Sequence, residues 1–254
     1  MGLSAQTLEN HLNQLLKPEQ FKDYCPNGLQ VDAGQPITHL VTGVTASLEL
    51  IEAAADIGAQ GILVHHGYFW KGEDERLIGM KGARIRALIK SGVSLFAYHL
   101  PLDAHPSLGN NAQLASDLGL EITGPMFKGE KNPIAVMATP QSSISNLQMA
   151  DRICQVLGRK PQHIGEGFER ELNLIGLCTG AAQDWIDQAA LRGCDLYISG
   201  EISERTVLSA RELDIDYMAA GHHATERGGV RALGAQIASD LGLKVSFIDI
   251  ENPA

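Results

Sequence analysis

Residues 61–67, GILVHHG, end an apolar run in two adjacent imidazoles, His65 and His66, side chains that ligate divalent cations as well as they hydrogen-bond. Further imidazole and carboxylate groups follow: His99 and Asp103 in YHLPLDAH, Glu201 in ISGE, and His222, His223 and Glu226 in GHHATERGG. Such donors suit zinc, iron, manganese, nickel or cobalt. No thiolate cluster competes, because Cys25, Cys154, Cys178 and Cys194 are far apart with no CxxC spacing. The chemistry these residue types could perform together is divalent-metal binding and, through it, activation of water.

Those side chains need elements to position them. Ile62–Val64 reads as an interior strand of an α/β sheet, preceded by the helical pattern LELIEAAAD within Ser47–Asp56 and by Gly58 as its C′ residue. Strand side chains alternate between faces, so His65 and His66 can share an ion only where the pleat breaks, and Gly67 supplies the break. In open α/β sheets ligands gather at the carboxyl ends of strands, where all of these motifs fall. A helix over Leu3–Leu16 ends at Pro18, YCPNGLQV bends through Pro26, Asn27 and Gly28, and a strand follows at His39–Thr45. ARIRALIKSG closes on Gly92 and feeds VSLFAYHLPLDAH; SERTVLSARE feeds DYMAAGHHATE.

Shifting the chain so that Gly58 meets Gly193 also superposes Ile51 on Ile186, Glu52 on Asp187, Ala54 on Ala189, Ala55 on Ala190 and His66 on Glu201. This internal repeat predicts two related α/β lobes, residues 1–125 and 126–254. Thr123–Pro140, rich in Gly, Pro and Lys, reads as their junction, and Ser145 with Gln148 forms a capping box that starts a helix running to Gly158.

Local spacing sharpens the site. If a helix begins just after Gly221, His222 and Glu226 lie one above the other on one face and His223 points elsewhere; the plain alternative is a solvated helix pair. Asp103 stands in the apolar stretch HLPLDAHP, which Pro101 and Pro106 stiffen, so it is either a buried carboxylate that needs a cation or the start of an exposed turn. His105 reads as a surface residue, and His11, His39 and His163 as structural ones. Lys71 and Arg227, beside the ligand motifs, are candidate anion contacts or else solvated cations.

The chain has 254 residues, 44% of them hydrophobic, enough for a real core in one large or two small domains. A formal charge of −10 without a basic run argues against nucleic acid as a partner. No stretch reaches the roughly 18 apolar residues of a membrane span. The first residues lack a secretory pattern, and Gln6 stands where myristoylation needs Ser or Thr. Scattered cysteines fit a reducing, cytoplasmic setting. There is no GxxxxGK[ST] loop to cradle a triphosphate.

HHGYFWKGE, YHLPLDAHPSLGNN and AAGHHATERGG resemble the motifs of the dinuclear-metal proteins called GTP cyclohydrolase 1 type 2 homologues, the YbgI-like group among them, and the likeness runs from PNGLQV to FIDIENPA. The resemblance implies two α/β lobes with a dinuclear metal site in the cleft between them, subunits assembled as a toroidal homohexamer, and no extra mid-chain domain. It assigns two divalent metal ions per subunit to His65, His66, Asp103, His222 and Glu226, with Glu226 the expected bridge. His99 and His223 become either residues that support the ligands from behind or acid/base candidates, and Glu201 a residue that orients a ligand or small-molecule substrate. The implied activity is metal-dependent hydrolysis of a purine nucleotide ring or related substrate. A two-metal phosphoesterase and a non-catalytic metal-binding scaffold are the alternatives.

Overall fold

Ser4 accepts a hydrogen bond from the Thr7 amide and so caps α1 (Ala5–Leu16), whose Leu8, Leu12 and Leu16 recur every four residues and are buried. Lys17 then turns left-handed and Pro18 follows, which stops the helix. The computed structural model describes residues 2–165 and 167–254. They form two compact units, Met1–Leu102 with Gly229–Glu251, and Asp103–Gly228 with Asn252–Ala254.

The first unit continues with β1 (Gly28–Val31), β2 (His39–Thr45), α2 (Leu48–Asp56), β3 (Gly61–His66), α3 (Gly79–Ser91) and β4 (Ser94–Ala97). Its sheet has the order β1-β4-β3-β2-β11, where β11 is Lys244–Phe247. β2, β3, β4 and β11 run parallel and β1 is antiparallel to β4. Strands joined by crossover helices must be parallel and covered, so their side chains are nearly all apolar. Val41, Ile62, Val64 and Leu95 accordingly pack on Leu50, Ile51, Ala54 and Leu88 of the helices. α2 starts where Ser47 accepts from the Leu50 amide, and Gly58 beyond its end sits at φ +70°, as its place after the apolar pattern predicts.

The chain enters the second unit within α4 (Leu100–Asp103) and continues through α5 (Asn110–Asp117), β5 (Leu120–Pro125), β6 (Val136–Pro140), α6 (Asn146–Leu157), β7 (Gln162–Ile164), β8 (Ile175–Cys178), α7 (Ile186–Leu191), β9 (Leu196–Ser199), α8 (Glu204–Glu212), β10 (Asp216–Ala219) and α9 (His222–Thr225). It returns to the first unit within α10 (Arg227–Leu241). The second sheet has the order β5-β6-β8-β9-β10-β7, parallel only across β8, β9 and β10. Leu177, Ile198 and Met218 from those strands meet Met149 and Ile153 of α6, whose capping box of Ser145 and Gln148 is formed as expected.

The run β2-α2-β3-α3-β4 in one unit has the same order as β8-α7-β9-α8-β10 in the other, and Gly193 at φ +75° matches Gly58, which is the repeat read from the sequence. Two expectations change. Thr123–Pro140 is not a junction: β5 and β6 pair antiparallel from Leu120 opposite Pro140, with Gly124, Pro125 and Pro140 inside the strands and Lys128, Gly129, Lys131 and Pro133 in the connection between them. The units divide after Leu102 rather than at 125/126, and residues 229–251 join the first unit because β11 extends its sheet beside β2. Among the described residues, no helix is long and apolar enough to cross a membrane.

Candidate functional site

β3 runs through His66, so both histidines belong to the strand rather than to the turn after it. Their rings still converge at the strand end, with centroids 4.6 Å apart, and His99 lies 5.0 Å from His65 and 5.9 Å from His66. One ring nitrogen from each of the three comes within 4.8 Å of the others. Gly67, just past the strand, lets Gln30 and Ala97 pack close, since a Cβ there would collide with both. His65 is fully buried and its Nδ1 lies 3.0 Å from the Tyr98 carbonyl oxygen. A carbonyl only accepts, so Nδ1 carries the proton and Nε2 keeps its lone pair, the tautomer a metal ligand needs. His66 Nδ1 lies 3.1 Å from Oγ1 of Thr45, its register partner on β2.

His99 is held from a segment that reads in the sequence only as a bend. Its Nδ1 lies 2.7 Å from Oδ1 of Asp23, and its backbone N–H donates to Asn27 Oδ1 at 2.7 Å. The Asp23 carboxylate also accepts from the Tyr24 amide, Asn27 Nδ2 and the Leu100 amide, at 2.6, 2.8 and 3.0 Å. Burial would raise the Asp23 pKa, but the hydrogen bonds from His99 and Asn27 outweigh it and hold the carboxyl below its usual range. Cys25 is near this pair, yet burial and then the charge of Asp23 push its thiol up to about 12, so it is a neutral neighbour.

In the second unit, α9 begins directly after Gly221, and His222 Nε2 meets Glu226 Oε2 at 3.2 Å, four residues on. His222 Nδ1 lies 2.7 Å from Glu201 Oε1, and the Tyr217 hydroxyl donates to the Glu201 carbonyl. Burial would lower the His222 pKa, but Glu226 and then Glu201 reverse this and push it up to about 9. Asp103 and Glu226 are 7% and 3% exposed, which removes the exposed-turn and solvated-pair alternatives. A carboxylate oxygen of each lies within 4.8 Å of the other. Asn110 Nδ2 donates to Asp103 Oδ1 at 2.8 Å.

His223 is buried, and its backbone N–H donates to the Ala254 oxygen at 3.2 Å. His105 is half-buried rather than a surface residue, its Nδ1 accepting from the Leu108 amide at 3.0 Å. His11, His39 and His163 pair with Asp240, Ser246 and Asp216, as structural histidines do. Arg227 donates to the Leu157 carbonyl, whereas Lys71 is exposed.

The model of the family Duf34/NIF3 (NGG1p interacting factor 3) matches residues 3–253. The chain belongs to this family. A curated relative from Vibrio cholerae, named GTP cyclohydrolase 1 type 2 homolog, is 53% identical over 247 residues, 97% of this chain and 98% of the relative. The solved structure of protein ybgI, described as of unknown function, superposes with a TM-score of 0.95 at 44% identity, over 99% of this chain and 100% of the other. TTHA1606 from Thermus thermophilus gives 0.88 at 28%, again over 99% and 100%.

As a Duf34/NIF3 protein the chain carries donor groups that fit divalent ions. Two buried carboxylates this close repel by about 3 kcal/mol at the effective dielectric of a protein, and a cation between them reverses that sign. Gly180 leaves room in the same place. It sits at φ +69°, and a Cβ there would strike the Glu226 carboxylate and come within 3.3 Å of His222 Nε2. Gly180→Ala is therefore expected to displace Glu226, lowering metal content after dialysis and destabilising the fold by about 1–3 kcal/mol in thermal unfolding. Asp23, Asn110 and Gly180 escape the sequence reading, which takes Asn27 as a bend residue and not as a partner of His99. The signals were an Asn-Gly bend and an Asn pair, whose partners only folding supplies.

Proposed function

We propose that this Duf34/NIF3 protein is a metal-dependent hydrolase in which His65, His66, Asp103, His222 and Glu226 hold two divalent ions and the substrate is a purine nucleotide ring or a related small molecule. The observation that carries the reading is the pair of buried carboxylates, Asp103 and Glu226, within 4.8 Å of each other and with His222 alongside Glu226. The name GTP cyclohydrolase 1 type 2 homolog, borne by relatives such as that of Vibrio cholerae, supports the substrate class. Two ions of this kind, when bound, supply an activated water at neutral pH and polarise the bond it attacks.

The remaining work falls to the protein. The Tyr98 carbonyl orients His65, Thr45 orients His66, and Glu201 orients His222. His99, anchored through Nδ1 by Asp23, exchanges a proton at Nε2 with the leaving ring nitrogen, and His223 is the second acid/base candidate. The proposal extends to a homohexameric assembly and a cytoplasmic setting, the latter supported by four cysteines that are all free thiols.

The test is to incubate metal-loaded protein with GTP and measure formate and inorganic phosphate separately. Formate without phosphate is expected, and His99→Ala should slow its release by about 10²–10⁴-fold with metal content unchanged. Phosphate without formate would replace this reading with a phosphoesterase. If neither product appears while chelation breaks the assembly, the ions are structural.

A further inference from the structure

Tyr24 is 62% exposed although its backbone and its neighbours are tightly tied. Its ring centroid lies 6.3 Å from that of His99, at an interplanar angle of 62°. Half-buried Trp70 makes a T-shaped contact with the same imidazole, at 5.0 Å and 82°, and lies 6.1 Å from His66. Two aromatic side chains thus border one histidine, and one of them is left in solvent.

The two segments that carry them are laced together. The Lys71 amide donates to the Tyr24 carbonyl at 2.7 Å. Gln30 donates through Nε2 to the carbonyls of Pro26 and Tyr68, at 2.8 and 3.1 Å, and accepts the Tyr68 amide at 2.7 Å. Trp70 Nε1 donates to the Gly67 carbonyl, and the Tyr68 hydroxyl donates to the Ala46 carbonyl. Between Tyr68 and Trp70 the backbone is forced: Phe69 sits at φ +64°, a left-handed conformation that costs a bulky side chain about 1–2 kcal/mol. Strain held by surrounding bonds, next to an exposed aromatic ring, marks a surface arranged before its ligand arrives.

We propose that Tyr24, Trp70 and His99 form a subsite for a planar heteroaromatic ring. Tyr24 and Trp70 offer π-faces, and His99, fixed by Asp23, offers the nitrogen not bound to that carboxylate to the edge of the ring. The inference deepens the proposed function by naming the residues that select the ring, but it stands on the first unit alone and needs no bound ion.

The experiment uses the full chain with Trp185→Phe, which leaves Trp70 as the only tryptophan of two. Guanosine and, separately, ribose 5-phosphate are titrated against Trp70 emission, in metal-loaded and in chelator-stripped protein. Guanosine is expected to quench in both forms, and ribose 5-phosphate not to quench in the stripped form. Tyr24→Ala should weaken guanosine binding by about tenfold, while Tyr24→Phe keeps it. The subsite is overturned if guanosine leaves the stripped protein unquenched, or if Tyr24→Ala binds it as tightly as the parent. Ring binding that depends on Tyr24, without formate from GTP, would remove the hydrolase and keep the subsite. Formate release with KM unchanged in Tyr24→Ala would do the reverse.

Discussion

Asp103→Asn is expected to lose bound metal and yet, once both proteins are stripped by chelator, to unfold at a higher temperature than the wild type. The reason is the proximity of the Asp103 and Glu226 carboxylates, both buried and within 4.8 Å. With ions present the two charges are ligands, and loss of one should cost metal affinity by about 100-fold or more, beyond the range for residues that merely orient a ligand. Without ions they repel. Asparagine keeps an oxygen to accept from Asn110 Nδ2, so the substitution removes the charge and spares the hydrogen bond that holds the side chain. The gain in the stripped state should be about 1–2 kcal/mol, or about 2–8 °C in a chain of this size. Scanning calorimetry on the four samples reads both signs, and a stripped variant less stable than stripped wild type would refute the electrostatic reading of the pair.

The second large effect is on pH. In chelator-stripped protein, His222 lies between Glu226 and Glu201, and its pKa rises from 6.5 to about 9 against the opposing effect of burial. A cationic group whose folded pKa exceeds its unfolded one stabilises fully below the unfolded value and loses that contribution as pH passes the folded one. Stability should therefore fall between pH 6.5 and about 9. The shift corresponds to about 3 kcal/mol, and because Glu201 is 41% exposed, screening reduces the expectation to about 1–3 kcal/mol. His222→Gln should flatten this part of the profile of melting temperature against pH. Metal must displace the same proton, so affinity should climb with pH over that window and each binding event should release a proton, measurable by calorimetry in buffers of different ionisation heat. A wild-type profile flat from pH 6.5 to 9 would show that the imidazole is not held as a cation.

These effects trace back to different amounts of information in the chain. The spacing of His222 and Glu226, with Gly221 before them, already implies one helical face, because an i,i+4 pair is a local consequence of helix geometry. The helix caps at Ser47 and Ser145, the strand His39–Thr45 and the left-handed glycines at 58 and 193 are local in the same sense, and so the β-α-β-α-β order of each unit was legible. Motif likeness added the ligand assignment that spacing alone left open.

Other features have causes distant in sequence. Asp23 lies 76 residues from His99, and nothing near it distinguishes it from any acid in a polar bend. β11 joins the first sheet beside β2, from the other end of the chain, so the boundary drawn at 125/126 could not anticipate it. The apparent junction at Thr123–Pro140 misled because its turn residues outweigh a short exposed strand in composition, whereas pairing with β6 decides its structure. Periodicity, caps and turn chemistry are written in neighbouring residues, and the sequence by itself determined those elements and the types of group at their ends. Which carboxylate anchors which imidazole, and how deeply Asp103 and Glu226 are buried, depends on packing between segments whose separation carries no local signal, and only the tertiary structure decided it.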